Sequence, residues 1–280
     1  MLAYFILLLA ISYAKVHGFG VLNGKNRANT KKINMGLSDT HNSLFSKIDD
    51  ALKLKLTSYA SDCNSWKEGQ YSGSCEWWEE KMGGKLTGVS KNTIIGADGL
   101  EVYTINCWMG PAYSIPHMLL TFSSTGSYYS VYADYVTRGP TPIGTDQNMI
   151  DNFYGQDVTN WYDKSASKGS ILPPPVSFSA RLLQSPIALS VSNLSSQDME
   201  SIATEHLDRW LSWIADKEGK GKQVESRSRG GMNSRDDKLR QYAYKSSVSY
   251  YSKLLGSAAS QGLGAAATGP ISEAYVGGGS

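Results

Sequence analysis

The segment from Leu100 to Tyr135, LEVYTINCWMGPAYSIPHMLLTFSSTGSYYSVYADY, restricts the fold more than any other part of the chain. It holds three strand-like runs in which single polar residues interrupt apolar and aromatic ones. A β-strand turns successive side chains to opposite faces. Leu100, Val102, Thr104 and Asn106 therefore share one face, and Glu101, Tyr103, Ile105 and Cys107 the other. One face can pack into a core while the other, apolar but dotted with hydroxyl and amide groups, meets a ligand. Met109-Gly110-Pro111 and Ile115-Pro116 interrupt the ladder because proline has no N–H to give it. SSTGS at 123–127 supplies the turn into Tyr128–Tyr135, and GADG at 96–99 turns Thr93–Ile95 into Leu100–Trp108, with Asp98-Gly99 at its tip. A four-stranded antiparallel meander ending before Thr137 follows.

The flanks supply helices. Leu44, Ile48, Leu52, Leu56 and Tyr59 recur at helical spacing within His41–Ala60, with lysines opposite, which predicts an amphipathic helix against one sheet face. Cys63–Lys91 is rich in Gly, Ser and Trp, and Trp66, Trp77 and Trp78 are expected at the edge of the core. Pro140 and Pro142 close the meander, and Asn148–Tyr154 reads as a short helix. After Pro173–Pro175, VSFSARLLQ alternates as a strand, and a further strand is expected at Ile187–Ser192. Ser195 with Asp198 three residues on resembles a capping box. It opens the strongest helix of the chain, faced by Met199, Ile202, Ala203, Leu207, Trp210, Leu211 and Ile214. From Lys217 to Arg240 basic residues outnumber acidic ones among Gly and Ser, which predicts a mobile basic loop, read either as a solvated linker or as a site for an acidic partner. A last helix is expected at Lys238–Leu255, and the Gly/Ala/Ser tail from Ser257 is expected to be disordered. The fold class is α+β: a three-layer α/β/α sandwich around a central antiparallel sheet, in one domain spanning residues 39–256, with 257–280 a low-complexity tail.

The amino end reads as targeting sequence. Leu2–Ile11 is apolar but too short to span a bilayer, and Val16-His17-Gly18 suits signal cleavage before Phe19, giving a signal peptide over 1–18. Residues 19–38 carry Lys25, Arg27, Lys31 and Lys32 with no acid before Asp39, as a transit peptide does. A signal followed by Phe and a basic stretch resembles the bipartite presequence of algae whose plastid lies within the endomembrane system. Plastid delivery is expected, without stable membrane insertion after processing; plain secretion is the alternative. Cys63, Cys75 and Cys107 form no CxxC and indicate neither a zinc site nor a disulfide framework. A net charge of +2, with no basic cluster among the aromatic strands, argues against nucleic acid.

HExxH, GxSxG, P-loop and dinucleotide motifs are absent, and the four histidines lack ligand spacing, so no metal site is expected. What stands out is an order of residues: Trp108-Met109, Pro111, Tyr113 to Pro116, Thr121, Gly126, then Asp134-Tyr135, followed by Arg181 after a Pro-rich loop and Asp236-Asp237-Lys238 late in the chain. Over Leu100–Leu255 this order resembles the ferredoxin-dependent bilin reductases and their relative, red chlorophyll catabolite reductase.

The resemblance implies ferredoxin-dependent reduction of an open-chain tetrapyrrole in phycobilin biosynthesis or chlorophyll catabolism. No bound cofactor is implied: ferredoxin supplies electrons, the bilin carries the radical, and the protein binds it and delivers protons. By position, Asp237 is the proton-donating carboxylate and Asn106 takes a place filled by His or Asn in relatives. Arg181 and Lys238 pair with the propionates, Trp108 and Met109 contact the pigment, and the basic loop docks ferredoxin. Thr121 departs from the pattern, since most relatives place Asp or Glu there and a hydroxyl is no acid near neutral pH. Two further readings stay open: reduction of the red chlorophyll catabolite, and a non-catalytic bilin-binding or chaperone protein, favoured by Thr121 and opposed by Asp237. Each residue also has an ordinary role available: a helix N-cap at Asp236-Asp237, exposure at Arg181, plain sheet positions at Asn106 and Thr121, and a structural part for Asp134.

Overall fold

A computed structural model describes residues 36–57, 65–81, 84–126, 128–138, 147–174, 184–216 and 223–269. Most of the presequence, Cys63, the strand expected around Arg181 and the chain beyond 269 lie outside the described residues.

The alternation read from Leu100–Tyr135 becomes three long neighbours in a nine-stranded antiparallel sheet, a mixed α+β fold with six helices among the described residues. Its strands are β1 (Leu54–Leu56), β2 (Trp66–Glu68), β3 (Tyr71–Glu80), β4 (Leu86–Gly96), β5 (Leu100–Met109), β6 (His117–Thr125), β7 (Tyr128–Val136), β8 (Ser170–Ile171) and β9 (Leu189–Leu194). They run in the order β1-β3-β4-β5-β6-β7-β9-β8, with β2 paired to β3. The Gly/Ser/Trp-rich stretch thus supplies whole strands, and Trp77 is fully buried. Gly99 and Gly126 turn the hairpins at φ +84° and +71°, values that need glycine.

The two faces of β5 bury against different helices. Tyr103, Ile105, Cys107 and Met109 join one core with α1 (Leu37–Leu52) and α4 (Ser196–Ala215), together with Phe153 of α2 (Gln147–Phe153) and Trp161 of α3 (Gln156–Ala166). Ile48 of α1 and Trp210 of α4 are wholly enclosed there, each burial stabilising by about 1.5–3 kcal/mol. Ser195 caps α4 as expected, its Oγ accepting the Asp198 N–H at 3.1 Å. On the opposite face, Ile94, Leu100 and Val102 pack on α5 (Ser226–Leu255) and α6 (Ser257–Thr268) through Tyr251, Leu255, Leu263 and Ala266.

These last two helices depart from expectation. The helix expected over Lys238–Leu255 is present but begins at Ser226: Ser226–Asp237, read as part of a mobile loop, is helical, so Asp236 and Asp237 sit well inside α5 and cap nothing. Ser257–Thr268, read as disordered, is a helix with Ala259, Leu263 and Ala266 buried. Its small residues permit close approach: a Cβ on Gly264 would press on Val248 and Tyr244 of α5. Among the described residues, no helix is long and apolar enough to cross a membrane.

Candidate functional site

Between the α5–α6 face of the sheet and those two helices lies a pocket. Its sheet wall is Asn92 and Ile94 of β4, Val102, Thr104, Asn106 and Trp108 of β5, Leu119 and Thr121 of β6, and Val136 of β7. The helix wall is Leu239, Ala243, Ser247 and Tyr251 of α5 with Leu263, Ala267 and Thr268 of α6. Strand register fixes the order of its polar groups. Asn92, Thr104, Thr121 and Tyr132 pair successively across β4, β5, β6 and β7, forming one row across the sheet. Within it the Thr104 and Thr121 hydroxyls bond at 3.2 Å. Asn106 stands in the next row, opposite Ser90 and Leu119. Its Nδ2 and the Trp108 Nε1 both donate to the Ala267 carbonyl, at 3.3 and 3.0 Å, tying the end of α6 to the wall.

Behind Trp108 sits an ionised group. The Asp236 carboxylate, on the inward side of α5, accepts from His117 Nε2 at 3.1 Å and from Arg138 Nε at 3.2 Å, with a further short bond from Arg138 Nη2. Arg138 also donates to the carbonyls of Tyr113 (2.5 Å) and Ile115 (3.4 Å), pinning the proline-broken loop between β5 and β6. His117 Nδ1 accepts the Met109 N–H at 2.9 Å, so its proton is on Nε2 and the ring is neutral. Burial alone would push Asp236 up, but His117 and Arg138 outweigh it and hold it at about 2. Burial drives His117 down to about 4, against the pull of Asp236. The His117 ring packs edge-on to Trp108, centroids 5.0 Å apart, so one indole separates this group from the pocket.

A second carboxyl is buried on the same face. Asp134 accepts from Tyr132 OH (2.6 Å), Ser185 Oγ (2.5 Å) and Ser185 N–H (3.3 Å), and burial raises it to about 6 despite those donors.

The residues singled out from sequence divide accordingly. Asn106, Trp108 and Thr121 come together in the pocket wall. Met109 turns to the α1–α4 core, where strand alternation must send it. Asp237 is half-exposed on α5, bound to Asn233 Nδ2 at 3.2 Å and Arg240 Nη2 at 2.6 Å, and Lys238 is exposed; neither lines the pocket. One residue separates about 100° of helix, which is why Asp236 turns inward and Asp237 does not. Arg181 falls outside the described residues. Sequence reasoning missed Asn92, His117 and Arg138. Alternation carried back through the whole of Leu86–Gly96 would have found Asn92, while His117 and Arg138 had no local signal.

No known family profile matches this sequence, and no curated protein does. Among solved structures, the chain superposes on phytochromobilin synthase from tomato, crystallised in complex with biliverdin, with a TM-score of 0.67 at 12% identity, covering 84% of this chain and 85% of that one. The chain shares that fold. The sheet, its order and the helices on it are what the likeness carries at such an identity.

Proposed function

We propose that this chain binds an open-chain tetrapyrrole between β4–β6 and the α5–α6 pair and reduces it with electrons from ferredoxin. The observation that carries the reading is the placement of Asn106, Trp108 and Thr121 in one apolar pocket on a fold shared with a protein crystallised around biliverdin. The three-layer α/β/α arrangement belongs to the same reading, supported by the separate cores on the two faces of β5. So does plastid delivery, supported by the composition of residues 1–38. The exposed cations of α5, among them Arg227 and Lys238, suit an acidic electron donor by long-range attraction.

A second reading, pigment binding without reduction, is favoured by the wall itself. Among the described residues, no carboxyl or imidazole lines the pocket. Protons for a reductase would come from one layer behind, through His117–Asp236 or Tyr132–Asp134. Biliverdin absorbance, followed before and after addition of reduced ferredoxin, separates the two. A spectral shift on mixing and bleaching on reduction are expected; a shift without reduction leaves the binder, and no shift with any bilin or chlorophyll catabolite ends both.

A further inference from the structure

We infer that Asn193, at the turn from β9 into α4, is an N-glycan acceptor, and that its glycan covers the β8 edge of the sheet. The inference rests on the signal-peptide reading of residues 1–18, which plastid delivery through the endomembrane system and plain secretion share. It stands apart from the pocket and from any pigment. Asn193-Leu194-Ser195 is the one place in the 280 residues where Asn is followed, after a residue other than proline, by Ser or Thr. That pattern is what oligosaccharide transfer in the secretory lumen requires.

The fold leaves room for the sugar here. Asn193 and Ser195 are exposed, while Leu194 between them is 3% exposed and belongs to the α1–α4 core. The buried residue anchors the turn and leaves the acceptor amide at the surface. Asn193 has φ +59°, a left-handed conformation that asparagine adopts more readily than most residues. Its Nδ2 donates to Ser170 Oγ at 3.1 Å, and an amide nitrogen carries two protons. Transfer uses one of them: the bond from Nδ2 to the anomeric carbon forms, the bond from that carbon to a lipid-linked pyrophosphate breaks, and the pyrophosphate leaves as Nδ2 gives up its proton. The second proton stays for Ser170.

What the glycan meets is an edge. Among the described residues β8 is the last strand of the sheet, only two residues long, and Ile171 is 50% exposed on it. An open edge with an apolar side chain invites pairing with another chain. A hydrophilic glycan rooted beside Ser170 blocks that approach.

The test is expression of the full chain in cultured animal cells, with a C-terminal tag carrying its own Asn-Gly-Thr to report lumen entry, read by gel mobility before and after peptide N-glycosidase. Wild type should lose two glycans and Asn193→Gln one. Ser195→Asp, which keeps an N-cap for α4 but removes the hydroxyl, should match Asn193→Gln, and Ser195→Thr should match wild type. A glycosylated tag on a wild-type chain that migrates as Asn193→Gln does overturns the assignment alone. A tag without glycan overturns the signal reading and the assignment with it. In size-exclusion chromatography Asn193→Gln should show more self-associated protein than wild type; equal profiles overturn the covering of the edge.

Discussion

Acidification from about pH 8 to about pH 5 should cost this fold close to 5 kcal/mol, and three enclosed histidines set the sign. His41, His117 and His206 are at most 1% exposed. Burial is the largest influence on each, lowering His41 and His206 to about 3 and His117 to about 4. Their surroundings explain why no charge is welcome: His206 lies stacked between Tyr135 and Trp161, and His41 sits against Tyr103 and Phe122. An unfolded histidine titrates near 6.5. Below that value the unfolded chain takes up protons that the folded chain refuses, so stability falls with pH. At about pH 5 each ring costs about 2 kcal/mol, about 6 kcal/mol for the three. Asp134 acts in the opposite sense. Burial raises it to about 6, above its unfolded value, so the folded state protonates first and recovers about 1.4 kcal/mol at about pH 5. Asp236, held at about 2, contributes stability above its unfolded value near 3.9 and loses it only as pH falls below that, outside this window. The net loss is a large share of the ~5–15 kcal/mol of an ordinary domain. Urea unfolding followed by tryptophan fluorescence at about pH 8, 6.5 and 5 measures it. Free energies equal within about 1 kcal/mol across that range would refute the argument, because they would require the three rings to be protonated inside the fold or exposed.

Asp236→Asn should destabilise by about 3–5 kcal/mol, leaving the enclosed Arg138 guanidinium without its counter-charge, whereas Asp237→Asn, in a part-exposed pair with Arg240, should change urea stability by less than about 1 kcal/mol. Leu263→Ala should cost about 2–5 kcal/mol if 257–268 packs as the helix described, and nothing measurable if that stretch were a loose tail. Gly88→Ala should lower the melting temperature, by about 1–3 kcal/mol in stability, because the added Cβ would overlap the buried Trp77 indole.

The resemblance drawn from residue order and the fold observed agree at the level of the sheet, and the reason is local. Side-chain alternation has a period of two whatever the partners, so Thr104 and Asn106 could be placed on one face from sequence. The helices α1 and α4 announced themselves because their buried stripes are Leu, Ile and Trp at 3.6-residue spacing, although α1 ends at Leu52, short of the expected Ala60, and Leu56 is an exposed residue of β1. Helix α5 was read only from Lys238 onward, because the inward stripe of its first half runs through Asp236 to Arg240, polar residues that only a partner on another element makes tolerable. Helix α6 was hidden by its Ala and Gly content, which packs well only against a surface already present.

By itself, then, the sequence determined the faces: which side chains of each strand look into the α1–α4 core and which look away. The tertiary structure decided who stands opposite whom. Register set Asn92 beside Thr104 and Thr104 beside Thr121, and helix rotation turned Asp236 rather than Asp237 toward His117 and Arg138. Both are contacts between elements far apart in the chain, fixed by hydrogen-bonded pairing and packing rather than by any residue's own propensity.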